Sequence, residues 1–152
     1  MAKKSIIFLC TGNSCRSHIG EALARQIAGD LFDVYSAGTA PAGYIHPLAV
    51  AALAEHGISV TGHRSKHLDE FGDRRFEYVV TVCSHAESRC PNLRGTVETL
   101  RWHVDDPAAL ADDPEAAMAQ ARRVRDVLAA RIRELAERVP AGASESPTRR
   151  AQ

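Results

Sequence analysis

The apolar positions of this chain change period several times, and each change marks an element. Ser5 to Leu9 is a short run of β-branched, aromatic and aliphatic residues that ends in the polar, Gly-containing stretch Cys10 to Ser17. Beyond that stretch Ile19, Leu23 and Ile27 recur at helical spacing, so the order is strand, loop, helix. Phe32 to Ala37 predicts a second strand, and the alanine-rich segment Pro47 to His56 predicts a second helix closed by Gly57. Ile58 to Val60 is too short to assign, and Leu68 to Phe71 suggests a single helical turn. Tyr78 to Val82 is an unbroken apolar run of the kind found in a strand covered on both faces. Thr96 to Leu100 predicts a last strand. A long helix then runs from about Pro114 to Val139; Pro114 suits its first turn, and Val124, Leu128, Ile132 and Leu135 form its core stripe.

Strands alternating with helices imply right-handed crossovers and an α/β fold. The expectation is one three-layer domain over residues 1–139, with a parallel four-stranded sheet and helices on both faces. The ligand site of such a sheet lies beyond the carboxyl ends of its strands, where Cys10, Cys83 and the Asp105–Asp106 pair fall. Residues 140–152, with Gly, Ser, Pro and Arg and almost no apolar content, read as a disordered tail.

Acidic and basic residues balance at 19 each, which gives no reason to expect a nucleic-acid or membrane partner, so any anion site must be local. No apolar run approaches the ~20 residues of a membrane span, and Met1 to Lys4 leads into a strand rather than a signal-peptide core. The chain is therefore expected to be cytoplasmic and to act as a monomer. Structural disulfides are rare in that compartment, so the four cysteines call for a chemical explanation before a stapling one. Cys83-x-His85 with Cys90 lacks the second paired spacing of a structural zinc site, and neither a metal nor a cofactor is expected.

Cys10-Thr11-Gly12-Asn13-Ser14-Cys15-Arg16-Ser17 carries the strongest chemical signal. Successive backbone N–H groups of a loop between strand and helix can ring a tetrahedral anion. Gly12 and Asn13 are its residues that best tolerate left-handed backbone angles. Arg16 adds a planar fork of donors for two oxygens and keeps its charge at any working pH. The same positive field favours the Cys10 thiolate, making Cys10 the candidate nucleophile and Arg16 its oxyanion clamp. Cys15 reads as a small packing residue facing the sheet.

The loop resembles those of the low-molecular-weight protein tyrosine phosphatases and of the thioredoxin-coupled arsenate reductases built on the same fold, and the resemblance covers Lys4 to about Val139. It implies that Ser17 hydrogen-bonds Cys10 and that Asn13 braces a strained loop backbone. A plainer role for Ser17 is the helix N-cap. Asp105-Asp106-Pro107 fits the family's aspartate before proline, which implies that Asp106 overhangs the loop as a proton donor, with Asp105 as its weaker rival.

Two departures separate the branches. The phosphatases usually follow that proline with tyrosine, whereas this chain has Ala108 and also carries Cys83 and Cys90. Val79 to Pro91 looks like the redox segment of the thioredoxin-coupled reductases. By that likeness Cys10 attacks arsenate, Cys83 resolves the adduct and Cys90 takes over the disulfide, after the Ser84 to Arg89 loop rearranges to meet disulfide geometry. Thioredoxin is the implied reductant, with glutaredoxin or a small thiol as alternatives.

The rivals are a phosphatase using Cys10, Arg16 and Asp106, and a thiol protein that sequesters a soft metal and has no use for Arg16. Some of the reductases also bind a potassium ion through residues matching Asn13, Glu21 and Ser36 and an aspartate that falls at Lys66. An ammonium group there is expected to replace the ion, meeting Glu21 and the loop's carbonyl side. His63, Arg64 and His67 cluster before Leu68, as a positive surface toward substrate or donor or as a solvated face; Trp102 and His103 wall the pocket, or Trp102 packs against the last helix.

Overall fold

A run such as Ile6 to Leu9, apolar at every position, is stable only as a strand with both faces covered, and it becomes the centre of the sheet. The computed structural model describes residues 3–83 and 96–139. Strand β1 (Lys4–Cys10) pairs in parallel with β2 (Phe32–Gly38) on one side and β3 (Tyr78–Thr81) on the other; β4 (Glu98–Arg101) lies beyond β3, giving the order β2-β1-β3-β4. Helices α1 (Arg16–Ala28), α2 (Pro47–Ala54) and α3 (Pro114–Arg138) complete the α/β fold. Cys90, His85, the 84–89 loop and the 140–152 tail lie outside the described residues.

Side chains alternate along each strand, so Phe8 and Ser36, which are register partners, share a face. That face meets α1: a Cβ on Gly20 would lie 2.5 Å from the Phe8 ring, so glycine is what lets helix and strand approach. Helix α3 packs on α1 with Val124, Leu128, Ile132 and Leu135 all buried, and each such side chain contributes roughly 1.5–3 kcal/mol. Helix α2 is held beside them by Arg125, whose guanidinium donates to the Ala52 carbonyl and the Glu55 carboxylate. The other face carries Tyr35, whose ring meets Phe71 and Phe76 edge-on beside the 3-10 helix Leu68–Phe71.

The boundaries depart from the sequence pattern where tertiary register overrides it. β4 starts at Glu98 rather than Thr96 because its partner β3 starts at Tyr78, and Val97 is left exposed. Helix α2 stops at Ala54, and the chain turns through Gly57 at φ +71°. Ile27 is only partly buried, so the core face of α1 is Ile19 and Leu23 with the alanines around them. Trp102 packs in the core against Phe8 and does not wall the pocket. Among the described residues no helix is long and apolar enough to cross a membrane.

Candidate active site

The turn from β1 into α1 is held by its carbonyls. Those of Thr11, Gly12 and Ser14 accept hydrogen bonds from the amides of Ala40, Ala42 and His46, and Gly12 also accepts from the Ser65 hydroxyl. With the carbonyls turned outward, the N–H groups face inward. Among the described residues the amides of Gly12, Ser14, Cys15 and Arg16 donate to no protein acceptor, and α1 begins at its N-cap Cys15 with no side-chain cap and no acidic residue in its first turn. An uncapped helix end of this kind offers donors and positive potential to an anion.

Cys10, a residue 3% exposed, places its sulfur at the base of this ring. It lies 2.8 Å from the Ser17 hydroxyl and accepts the Asn13 amide at 3.2 Å. Asn13 is wholly buried and, among the described residues, is the non-glycine residue with positive φ, at 43°. Its side chain is tied on every side: Nδ2 donates to Ser17 Oγ at 2.9 Å and to Ser36 Oγ at 3.0 Å, while Oδ1 accepts from the Lys66 amide at 2.8 Å. Because Asn13 donates to Ser17, the Ser17 proton is free to point at the sulfur. Gly12 does not take a left-handed conformation; that strain falls on Asn13 alone in the loop. Ser17 lies inside α1 and is fully buried, so it is not the exposed N-cap; Cys15 occupies that position.

Arg16 is aimed across the loop. Its Nη1 donates to the Val104 carbonyl at 3.0 Å, and Nη2 lies 3.6 Å from Asp106 Oδ2. The other Asp106 oxygen accepts from the Ala108 amide at 3.0 Å, capping the 3-10 helix Pro107–Leu110. Thr11, Arg16, Cys83, His103, Val104, Asp105 and Asp106 line one cleft of about 290 Å³. Cys83, 6% exposed, follows the end of β3 next to β1, and its sulfur is 3.5 Å from Thr11 Oγ1. His103 reaches back to Thr81 Oγ1 at 3.2 Å. Cys10, Cys15 and Cys83 form no disulfide with one another. Burial, reinforced by the charges of Asp106 and Cys10, pushes the Cys15 thiol up to about 12, which fits a packing residue.

Behind the loop, Ser36 donates to Glu21 Oε1 at 2.5 Å. Burial alone would raise the Glu21 carboxyl, but hydrogen bonds from His18 and Ser36 and the charges of His63 and Arg25 outweigh it and bring it down to about 2. The Lys66 ammonium lies 3.5 Å from Ser36 Oγ and donates to the Arg64 carbonyl at 3.1 Å, so it meets these two oxygens rather than Glu21 and a loop carbonyl. Asn13 turns its N–H side toward Ser36, and a fixed cation already stands there; these residues do not fit a potassium ion. Two contributors were not legible beforehand. The Val104 carbonyl that anchors Arg16 is main chain and leaves no residue signature. Gly38 ends β2 where a Cβ would lie 2.5 Å from the Thr11 carbonyl and 2.9 Å from the Asn13 amide.

A family model described as low molecular weight phosphotyrosine protein phosphatase matches residues 5–144. The chain belongs to that family. Within it, the chain is 42% identical over 137 residues to an arsenate reductase of Halalkalibacterium halodurans, covering 90% of this chain and 98% of that one. Its fold matches that of an arsenate reductase in the phosphate binding state, with TM-score 0.77, 25% identity and coverage of 90% of this chain and 99% of the other. It also matches a thioredoxin-dependent arsenate reductase of Corynebacterium glutamicum, with TM-score 0.71, 29% identity and coverage of 89% and 61%.

Proposed function

We propose that this protein reduces arsenate to arsenite through a relay of Cys10, Cys83 and Cys90, recycled by thioredoxin. The observation that carries the proposal is the position of Cys83: its sulfur opens onto the same cleft as Arg16 and Asp106 and lies 3.5 Å from the Thr11 hydroxyl, next in the chain to Cys10. A phosphatase needs no thiol there. The arsenate reductases at 42% identity support the substrate, and the phosphate-binding state of a structural relative supports a tetrahedral oxyanion in the loop.

Arsenate enters the ring of amides with two oxygens on Arg16. The Cys10 thiolate, receiving hydrogen bonds from Ser17 and the Asn13 amide, attacks arsenic, and Asp106 protonates the departing oxygen so that water leaves. Cys83 then attacks Cys10 Sγ as a thiolate. The S–S bond forms, the S–As bond breaks with its electron pair staying on arsenic, and arsenite is released. Cys90 next attacks Cys83, freeing the Cys10 thiolate, and thioredoxin reduces the Cys83–Cys90 disulfide by the same exchange chemistry. Such a relay requires a reducing compartment, and we assign the protein to the cytoplasm on that ground.

With thioredoxin, its reductase and NADPH, wild-type protein is expected to oxidise NADPH catalytically and only when arsenate is present. Cys83→Ser is expected to abolish this turnover while retaining slow hydrolysis of an aryl phosphate. Equal loss of both activities, or arsenate turnover that survives in the variant, would overturn the relay.

A further inference from the structure

A second cluster of metal-ligating side chains stands behind the anion loop and takes no part in the relay. His18 and Glu21 are one helical turn apart and project from the same face of α1, toward His63 on the segment beyond α2. His18 and Glu21 are buried, at 0% and 3% exposure, and the His63 side chain is nearly so at 6%.

Three ligand atoms converge. His18 Nδ1 is 3.3 Å from Glu21 Oε1, the two imidazole Nδ1 atoms are 3.4 Å apart, and His63 Nδ1 is 3.9 Å from the same Glu21 oxygen. A tetrahedral zinc ion bound at ~2.0–2.2 Å requires donor atoms roughly 3.3–3.6 Å apart. One proton shared among these three atoms can join two of them; a cation at the centre of the triangle joins all three. Binding through both Nδ1 atoms leaves each ring proton on Nε2, which in His18 is buried with no hydrogen-bond partner among the described residues.

Positive charge nearby sets the limit on affinity. Arg25 donates to the other Glu21 oxygen at 2.6 Å and to the Val34 carbonyl at 3.0 Å and touches His63 Nε2 at 3.4 Å; its side chain is half exposed, and the ion must displace it from His63. The Lys66 ammonium is a fixed cost, one oxygen away at Ser36. Two imidazoles and one carboxylate, with two of their three separations at tetrahedral spacing and the third at 3.9 Å, suit a borderline first-row ion rather than a hard cation that prefers oxygen donors.

We propose that His18 Nδ1, Glu21 Oε1 and His63 Nδ1 form a three-ligand site for a divalent ion of the zinc class, its fourth position held by water. The site connects to the nucleophile through a hydrogen-bonded chain: Ser36 donates to Glu21, Asn13 donates to Ser36 and to Ser17, and Ser17 meets the Cys10 sulfur. A bound ion therefore pins the scaffold behind the loop.

The test is calorimetric titration of Zn²⁺ into the full-length chain carrying C10S, C83S and C90S, so that the relay thiols do not compete. One ion per chain is expected, with at least tenfold weaker binding in His63→Ala on that background. Co²⁺ should give the intense visible bands of a tetrahedral ion, lost in the same variant. Lys66→Met, which removes the opposing charge and keeps the amide that holds Asn13, is expected to bind several-fold more tightly. Circular dichroism checks each fold; should His63→Ala not fold, the isosteric Glu21→Gln must show the weakening instead. Absence of saturable 1:1 binding, or affinity untouched by both ligand substitutions, would overturn the site.

Discussion

At the scale of single residues, the site depends on which atom donates to which. Ser17 holds the Cys10 sulfur at 2.8 Å and is itself oriented by Asn13, so its proton has one useful destination. Ser17→Ala should lower kcat by about 10²- to 10³-fold with KM little changed, as for loss of one donor to a developing charge; steady-state kinetics on arsenate and on an aryl phosphate would measure it. Glu21 gives a prediction in pH. Its carboxyl is held at about 2 against an ordinary 4.5. A depressed carboxyl stabilises the fold above its unfolded value and loses that contribution as pH falls toward the folded one. The contribution is on the order of 3 kcal/mol at neutral pH. Urea unfolding should show the stability gap between wild type and Glu21→Gln closing as pH falls from about 4.5 to about 2. A constant gap across that range would mean that Glu21 acts through shape rather than charge.

At the scale of elements, the loop is shaped by what lies behind and beside it. The segment through Ala40, Ala42 and His46 binds its carbonyls, and the end of β2 presses against its backbone at Gly38. A methyl group on Gly38 would collide with main-chain atoms that cannot rotate away. Gly38→Ala should therefore leave the sheet folded, as judged by circular dichroism, yet weaken phosphate binding at least tenfold, because several amides lose their common centre. Helix α3 tests the core in a different way. Leu128→Ala, at a wholly buried position facing α1, should cost about 2–5 kcal/mol in chemical unfolding, with activity intact at temperatures where the fold survives.

At the scale of the whole molecule, parallel topology is what makes a relay feasible. Every strand of this sheet runs the same way, so Cys10 at the end of β1 and Cys83 after β3 reach the same edge although 73 positions apart in the chain. An antiparallel pairing would have put them at opposite ends. In Cys90→Ser the relay is expected to stop after one cycle: one arsenite released per chain and a Cys10–Cys83 disulfide trapped, which mass spectrometry of the non-reduced protein would detect. Multiple turnovers in that variant would remove Cys90 from the scheme.

The local pattern of the chain determined the strands, the helices, the core stripe of α3 and the loop with Cys10 and Arg16, because periodicity, a glycine-bearing turn and a cysteine–arginine spacing are read over a few residues. Cys83 was legible as a cysteine after an apolar strand, and Asp106 only through family resemblance. What needed the tertiary structure was everything carried by main chain or by distant partners: the Val104 carbonyl on Arg16, the amides that turn the loop inward, the exclusion of a side chain at Gly38 and the meeting of His18 with His63. These contacts join residues 25 to 88 positions apart, and no local rule of spacing or composition encodes which of them will touch.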